Sequence, residues 1–174
     1  HETVLVTGAA GYIGRHVVDA LLRRGCQVSV ALSSGASYVR EDVRVVSQPI
    51  FDASCANLYE ALGSPDRCIH LAWKDGFSHN APTHLEMLPS HVRFLQQLID
   101  GGIKSISVAG SMHEIGYWEG MVSEDTPANP LSLYGVAKNA LRQAALIMAQ
   151  DSGTSLKWLR GYYLTGDDEH NHSV

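Results

Sequence analysis

The sequence has few cysteines and no long apolar run, and both features exclude classes of protein. Cys26, Cys55 and Cys68 are widely spaced and form no CxxC pair, so nothing suggests a zinc finger or a redox dithiol. No stretch reaches the roughly 18 apolar residues of a membrane span. The first apolar run is also too short for the core of a signal peptide. We therefore expect a cytoplasmic protein in a reducing compartment, without a membrane partner.

Positive charge is also scarce. Lysine and arginine number 13 against 18 aspartates and glutamates, which gives a net charge of -5. Proteins that bind nucleic acid usually carry a basic patch, so this balance disfavours nucleic acid as a partner. With 174 residues, 45% of them hydrophobic, the chain is long enough for one well-buried globular domain. No internal repeat or linker divides it, and we predict one domain over residues 1–174.

Short apolar runs rich in Val and Ile recur along the chain. There are six of them: TVLVTG, QVSVAL, VRVVS, RCIHLAW, KSISVAG and LKWLRGYYLTG. Nearly continuous runs of this kind are typical of strands buried on both faces of a parallel sheet. Helical patterns separate them, so we predict an α/β fold, a Rossmann-like doubly wound parallel sheet of about six strands in three α/β/α layers. A ligand would then bind at the carboxyl ends of the strands.

Three helices have recognisable ends. The first stops at Gly25, a typical C-terminal cap. The second carries an apolar stripe interrupted by Pro89, which should kink the helix or mark its true start. Its stripe consists of Leu85, Leu88, Val92, Leu95 and Ile99. The third is predicted to open with Asn129 as N-cap and Pro130 in the first turn, and to run to about Asp151.

Three glycines lie between the first strand and the first helix. The segment TGAAGYIG holds Gly8, Gly11 and Gly14 in a GxxGxxG spacing, with Tyr12 and Ile13 between the last two. Glycines permit a tight turn and close backbone approach, and a helix N-terminus attracts a pyrophosphate. The flanking strand and helix are the context such a motif requires. We predict that these five residues bind a dinucleotide; a merely tight turn is the alternative.

Tyr134 and Lys138 are four residues apart in the segment SLYGVAK and so share a helix face. A free tyrosine has a pKa near 10, too high for a base at neutral pH, but a neighbouring ammonium and a cationic nicotinamide ring favour the phenolate. Alone, such a pair is common on helix surfaces. Because Ser111 follows a predicted strand end and the glycine turn faces the same cleft, we favour a catalytic site.

Together, TGAAGYIG and YGVAK resemble the extended short-chain dehydrogenase/reductase family, which comprises nucleotide-sugar epimerases, dehydratases and reductases. The resemblance implies NAD as cofactor, with NADP not excluded, a nucleotide-sugar substrate, and a homodimer formed by the helices at about 84–100 and 130–150. It also implies that Tyr134 removes a proton from a sugar hydroxyl as hydride leaves for the nicotinamide. Lys138 would bind the nicotinamide ribose, and Ser111 would hydrogen-bond the reacting oxygen.

The same resemblance assigns further cofactor contacts. Asp52 matches an aspartate that contacts the adenine amino group, although it could instead be a helix N-cap. Ala72 matches a small residue close to the cofactor. The acidic position that selects NAD falls on Leu32, so NAD against NADP stays open. Arg40 could reach a 2′-phosphate, but a solvated loop residue is the favoured interpretation.

Several residues depart from the family pattern. Met112 and His113 replace the Asp-Glu pair of sugar 4,6-dehydratases, which favours epimerase or reductase activity over dehydration. His113 could contact substrate or act as an acid, or be a structural histidine. Tyr163 replaces an asparagine that touches nucleotide-sugar, and Ser78 and Asn80 are expected to line the substrate pocket. Two other functions stay open: a reductase of a non-nucleotide carbonyl compound, and a non-catalytic NAD(P)-sensing module.

The last residues also differ from the family. Members typically continue for a lobe that grips the nucleotide-sugar, and this lobe is missing from the sequence, which favours a fragment over a short family member. His170 and His172 beside acidic residues could imitate a metal site. We favour an acidic loop and predict no metal, because such ligands need a folded scaffold to converge.

Overall fold

The computed structural model describes residues 1–33 and 35–166, so His170 and His172 lie outside the described residues. Within the described ranges, six parallel strands form one sheet in the order β3-β2-β1-β4-β5-β6. The strands are β1 (Thr3–Thr7), β2 (Gln27–Ala31), β3 (Arg44–Val46), β4 (Arg67–His70), β5 (Ser105–Ser111) and β6 (Ser155–Gly161). The predicted doubly wound Rossmann-like α/β fold is confirmed.

Helices cover both faces of this sheet. They are α1 (Tyr12–Arg23), α2 (Leu58–Ala61), α3 (Thr83–Asp100) and α4 (Leu133–Ala149), with a short 3-10 helix at Met112–Glu114. On one face, Val18 of α1 packs with Val4. On the other, Phe94 of α3 and Leu141 of α4 pack with Leu5. Each fully buried side chain of this size contributes about 1.5–3 kcal/mol, so the two cores hold the three layers together.

The carboxyl ends of the central strands lie side by side. In the parallel register Thr7 of β1 faces Ala31 of β2 and His70 of β4. His70 in turn faces Val108 of β5. The glycine turn after β1, the loop after β4 and the end of β5 therefore open onto one edge of the sheet, where doubly wound folds bind ligands.

The starts of α3 and α4 differ from the sequence patterns. α3 runs through Pro89 from Thr83, with Pro82 at its N-cap. Of the two alternatives for Pro89, a kink or the true start of the helix, the second is therefore excluded. α4 begins at Leu133 rather than after Asn129, because the Ser132 side chain accepts a hydrogen bond from the Gly135 amide at 3.1 Å and caps the helix. In the described part of the chain, no helix is both long and apolar enough to cross a bilayer.

Candidate active site

The glycine turn packs tightly against the loop that follows β4. Gly8 has a φ of +69°, and a Cβ there would lie 2.7 Å from the Ala72 amide nitrogen. A Cβ on Gly14 would overlap the Gly8 carbonyl oxygen, and the Gly11 amide donates to that same oxygen at 3.2 Å. Ala72 thus lies at the turn. Gly8 and Gly14 are required by close backbone approach, and Gly8 also by its positive φ, whereas a Cβ on Gly11 would lie 3.3 Å from the Gly8 carbonyl oxygen.

The start of α1 fits a dinucleotide. Gly11 is the N-cap and gives no side-chain cap, and the first turn of this helix holds no acidic residue. Tyr12 and Ile13 open the helix, and both are partly exposed. An uncapped N-terminus directs N–H groups and the positive end of the helix dipole toward an anion. The turn can therefore hold a pyrophosphate against the backbone.

Ser111 ends β5 and caps the 3-10 helix that follows. Its hydroxyl oxygen accepts a hydrogen bond from the His113 amide at 3.2 Å, while its own amide donates to Glu114 Oε2 at 2.7 Å. Ser111 is buried. Because one lone pair of the hydroxyl oxygen is already used, its hydrogen remains to be donated to another group.

Tyr134 lies in the first turn of α4, enclosed by rings. Its amide donates to the His79 carbonyl at 2.8 Å, and the Leu133 amide donates to Asn80 Oδ1 at 3.1 Å, so the loop before α3 holds the start of α4. Four aromatic rings lie with centroids 5.2 to 6.0 Å from that of Tyr134: Trp73, His79, His84 and His113. This packing fixes the orientation of the phenol ring.

Lys138 is buried one turn further along α4, with 4% of its surface exposed. Its Nζ donates to the Ala109 carbonyl of β5 at 2.7 Å and lies 4.2 Å over the Trp73 ring. The distance from Nζ to the centroid of the Tyr134 ring is 5.9 Å. Burial lowers the pKa of Lys138 from 10.5 to about 8, with the Glu114 carboxylate acting in the opposite direction. A cationic lysine is therefore available below that pH.

The pKa of Tyr134 does not follow the expectation from sequence. Burial raises it, a hydrogen bond with the Ser111 side chain lowers it, and the Glu114 carboxylate raises it again, so the net direction is upward. The predicted lowering by Lys138 is therefore wrong for the chain alone. The physical reason is that desolvation opposes the phenolate. The hydrogen bond with Ser111 and the 5.9 Å distance from the Lys138 Nζ to the Tyr134 ring centroid show that these three residues lie together.

The buried amine makes a testable contribution to stability. Below about pH 8 Lys138 is charged in both the folded and the unfolded state, so burial costs the full desolvation penalty of the ammonium. Between about pH 8 and 10.5 only the unfolded state keeps the proton. As the pH rises through that window, the free energy of unfolding of the wild type should therefore increase by about 3 kcal/mol relative to that of Lys138→Met. Urea unfolding measures this, with the exposed Lys157→Met as control. A constant difference between wild type and Lys138→Met over the window would contradict it.

Two histidines join the strands beneath the site. The Thr7 hydroxyl oxygen lies 2.7 Å from His70 Nδ1 and accepts from the Leu71 and Ala72 amides. His70 Nε2 lies 2.8 Å from His91 Nδ1 on α3. Burial lowers the pKa of His70, and it lowers that of His91 to about 3. These rings are thus neutral elements of the scaffold.

The other predicted cofactor residues have identifiable partners. Asp52 accepts hydrogen bonds from the Ser54 amide at 2.9 Å and from its hydroxyl at 2.6 Å, which lowers the pKa of Asp52. The alternative of a helix N-cap at Asp52 is wrong, because α2 begins at Leu58 and is capped by Asn57. Asp52 instead forms a local turn with Ser54, and its second carboxylate oxygen accepts a hydrogen bond from the Gln48 side chain.

Arg40 is not a free cation. It pairs with Asp19 and, at 2.7 Å, with Asp42. These two carboxylates raise the pKa of the guanidinium. Leu32, at the position where an acidic residue would select NAD, is partly buried and packs against the core beside α1. The guanidinium is thus already neutralised by two carboxylates, which disfavours its use for a 2′-phosphate.

Two of the predicted substrate residues share a cleft of about 430 Å³. His113 and Tyr163 both line it, with Tyr163 76% exposed. Burial and then the neighbouring His79 lower the pKa of His113. Ser78 and Asn80 are not among the residues that line this cleft: the Ser78 carbonyl lies 2.9 Å from His84 Nε2, and Asn80 Oδ1 accepts from the Leu133 amide. The wall of the cleft is rich in aromatic rings, with Tyr117, Trp118 and Tyr162 among its residues.

Three residues near the site were not assigned a role there from sequence. Trp73 supports Lys138, His79 stacks on Tyr134, and Glu114 binds the Ser111 amide. The segment SMHE contains the Ser-x-x-Glu spacing of a capping box, which is the signal that could have revealed Glu114. No comparable local pattern indicates the other two, since both belong to loops brought in by the fold.

Comparisons with known proteins give matches over most of the chain. A family model described as the NAD dependent epimerase/dehydratase family matches residues 4–174. The dTDP-6-deoxy-L-talose 4-dehydrogenase (NAD(+)) of Aggregatibacter actinomycetemcomitans is 42% identical over 174 residues, covering 98% of this chain and 64% of that protein. The chain therefore spans less than two thirds of this relative.

Solved structures resemble the chain in fold. The UDP-glucose 4-epimerase of Thermotoga maritima superposes with a TM-score of 0.78 at 24% identity, over 91% of this chain and 54% of the epimerase. MoeE5 in complex with UDP-glucose and NAD gives a TM-score of 0.68 at 28% identity, over 91% of this chain and 52% of MoeE5. The shared part is in each case about half of the solved protein.

Proposed function

The chain belongs to the NAD-dependent epimerase/dehydratase family, and we propose that residues 1–174 are the NAD-binding domain of an enzyme that transfers hydride at a carbinol of a nucleotide-sugar. One observation carries this proposal: Ser111, Tyr134 and Lys138 meet at the sheet edge onto which the glycine turn after β1 opens. A hydroxyl, a phenol and an amine at that edge suit oxidation of an alcohol or reduction of a ketone. A sensor without turnover would need none of them.

Each residue has a distinct task in this proposal. When bound, NAD supplies the acceptor for hydride. Tyr134 takes the proton of the sugar hydroxyl during oxidation and returns one during reduction. Ser111 donates its remaining hydroxyl hydrogen to the reacting oxygen, and Lys138, held by the Ala109 carbonyl and the Trp73 ring, provides positive charge beside the phenolate. The roles predicted from the sequence for these three residues thus combine into one mechanism.

The substrate we favour is a dTDP-deoxysugar oxidised or reduced at C4. The 42% identity to a dTDP-6-deoxy-L-talose 4-dehydrogenase supports this class. Met112 and His113 offer no carboxylates for dehydration, so a dehydratase is disfavoured. An epimerase is the second candidate, because the fold neighbours include UDP-glucose 4-epimerases. The cofactor we propose is NAD rather than NADP, since two carboxylates occupy Arg40.

The test is an activity and binding screen on the full-length protein. dTDP-, UDP- and GDP-sugars are incubated with NAD, and nicotinamide absorbance and product stereochemistry are followed. We expect the fastest NADH formation with a dTDP-6-deoxysugar, and a 4-keto product. Epimerised sugar without net NADH would support the second candidate. If no nucleotide-sugar is turned over and none binds by calorimetry, the proposal is refuted. Turnover of simple carbonyl compounds instead would favour a reductase of non-nucleotide substrates.

We also propose a homodimer through α3 and α4, which would pair as a four-helix bundle. The two helices pack together and expose apolar side chains, including Leu85, Val136 and Ile147, the last 71% exposed. Sedimentation should show a dimer at micromolar concentration, and Ile147→Glu should shift it to monomer because a charge would be buried in the interface. Val39→Glu, at a 96% exposed loop residue, is the control. A monomeric wild type would contradict this arrangement.

The state of the thiols supports the proposed cytoplasmic location. Cys26, Cys55 and Cys68 are free. Cys68 is buried, and burial raises the pKa of its thiol, so it is unreactive. Reduced thiols persist in the cytosol, and cell fractionation with labelling of the accessible thiols tests the location.

A further inference from the structure

Glu114 is a charged residue with no exposed surface, beside the proposed site. Three donors converge on its carboxylate. The Ser111 amide donates to Oε2 at 2.7 Å, the Trp158 indole to Oε1 at 3.0 Å, and Arg160 Nε to Oε1 at 3.1 Å. A buried charge is tolerated only when it is paired and hydrogen-bonded. The arrangement is therefore a built polar cluster and not an accidental contact.

The cluster joins the end of β5 to β6. Trp158 lies opposite Val108, and Arg160 lies opposite Gly110 in the parallel register. A Cβ on Gly110 would overlap the Trp158 indole nitrogen and lie 2.9 Å from Glu114 Oε2. Only glycine at this position leaves space for the indole to cross the strand. Gly110, directly before Ser111, thus leaves the space that the Glu114 carboxylate and its donors occupy.

The cluster determines how Ser111 is presented. Glu114 holds the Ser111 amide, while the Ser111 hydroxyl oxygen accepts from the His113 amide, which completes a reciprocal capping box. The Ser111 backbone is thereby fixed, and its hydroxyl is left with one hydrogen to donate. A buried ion pair with Arg160 anchors the other end of the same carboxylate.

We propose that Glu114 is a positioning residue of the reaction, which acts through Ser111 by fixing the strand end so that the serine hydroxyl donates to the reacting oxygen. This inference rests on the proposed function. It assigns a task to a residue with no exposed surface, and it explains why a carboxylate is buried at the end of β5. Trp158 and Arg160 are the supports that hold the carboxylate in place.

The carboxylate also acts on the titration of Tyr134. Glu114 itself raises the pKa of Tyr134, whereas the hydrogen bond with Ser111 lowers it and is the larger of the two effects. A Glu114 variant that displaces the Ser111 hydroxyl should therefore raise the midpoint of the phenol, whereas loss of the charge alone would lower it. The other groups that face Tyr134 are Lys138 on the same helix and a set of imidazoles from the neighbouring segments. These imidazoles belong to His79, His84 and His113. All of them are retained when Glu114 alone is changed, so the direction of the change in midpoint shows whether Ser111 has moved.

The first measurement is steady-state kinetics of Glu114→Gln in the full-length protein. The amide has nearly the same size but places an NH₂ group among three donors, so at least one hydrogen bond is lost. We expect kcat to fall about 10- to 100-fold with the KM for NAD nearly unchanged, because a misplaced hydroxyl affects the reaction and not cofactor binding. Trp158→Phe removes a single donor and should give a smaller loss in the same direction.

A matched control is available at the opposite edge of the sheet. Asp66 accepts from the Thr3 amide and hydroxyl at 3.0 Å and from Lys104 Nζ at 2.6 Å, so it too receives three donors. It lies at the amino ends of the strands, away from the site. Asp66→Asn should lower stability but leave kcat and the Tyr134 titration unchanged.

The second measurement does not depend on turnover. The phenolate absorbance of Tyr134 is isolated by subtracting the titration of Tyr134→Phe, in both the wild-type and the Glu114→Gln background. A higher midpoint in the Glu114→Gln background supports the proposal, because Tyr134 has then lost its hydrogen bond with Ser111. An unchanged or lower midpoint, or a wild-type kcat, overturns it, because Ser111 is then still in place. If no nucleotide-sugar reacts, the proposed function fails, whereas the midpoint still tests the role of Glu114.

Discussion

Tyr134→Phe should lower kcat for the nucleotide-sugar by about 10²- to 10⁴-fold, the range typical of a lost general acid or base. The variant keeps the ring that packs against Trp73 and His84 but has no group to take or give the proton. We therefore expect NAD binding and the unfolding midpoint to stay close to those of the wild type. Steady-state rates and NAD calorimetry on the full-length protein measure both quantities.

Tyr59→Phe is the matched control for this loss of a phenol. The Tyr59 hydroxyl donates to the Pro65 carbonyl at 3.1 Å, in the segment between α2 and β4, away from the cleft. Removing it should cost about 1 kcal/mol of stability and leave kcat unchanged. A Tyr134→Phe variant as fast as Tyr59→Phe would remove Tyr134 from the mechanism.

Gly14→Ala should weaken NAD binding by at least about 100-fold, which corresponds to about 2.7 kcal/mol. The added Cβ would overlap the Gly8 carbonyl oxygen and lie 2.7 Å from Ala9 Cα, so the turn must open. Opening separates the start of α1 from the strand end, and the helix N-terminus no longer faces the pyrophosphate. Calorimetry with NAD measures the loss, and thermal unfolding shows that the variant is folded.

Gly76→Ala serves as the control for an added methyl group. A Cβ at Gly76 would meet no atom within 4 Å, and this residue has no positive φ. We expect wild-type NAD affinity in this variant. If Gly14→Ala also bound NAD with an affinity within about threefold of the wild type, the glycine turn would not be the site of the pyrophosphate.

The sheet and the glycine turn were predictable because their signals are local. A run such as TVLVTG carries its own strand pattern, and the glycines after it define the turn. The start of α4 was not predictable in this way. Asn129-Pro130 and Ser132 are both plausible caps, and only the tertiary structure shows that Ser132 is used. Asp52 likewise resembles a cap but bonds within its own loop.

The buried face of α3 shows a second reason why a hydrophobic pattern does not fully predict which residues are buried. Leu85 of the predicted stripe is exposed, whereas His84 and His91 are buried. Histidine can be buried here because both nitrogens of His84 are satisfied, one by the Trp73 indole and one by the Ser78 carbonyl. Such partners come from the loop before α3 and not from the helix itself, so a scale of hydrophobicity cannot foresee them. The raised pKa of Tyr134 escaped prediction for the same reason, since it depends on burial.

The hydrogen bonds from Thr7 to His91 run in one direction only. Because the Thr7 oxygen already accepts from two amides, its hydrogen goes to His70 Nδ1, and His70 must then carry its own hydrogen on Nε2 and give it to His91 Nδ1. A single threonine at the end of the first strand thereby selects the tautomer of both imidazoles. The charge and the hydrogen-bond polarity beneath the cleft are therefore fixed by the amino-acid sequence, and they do not change with pH near neutrality.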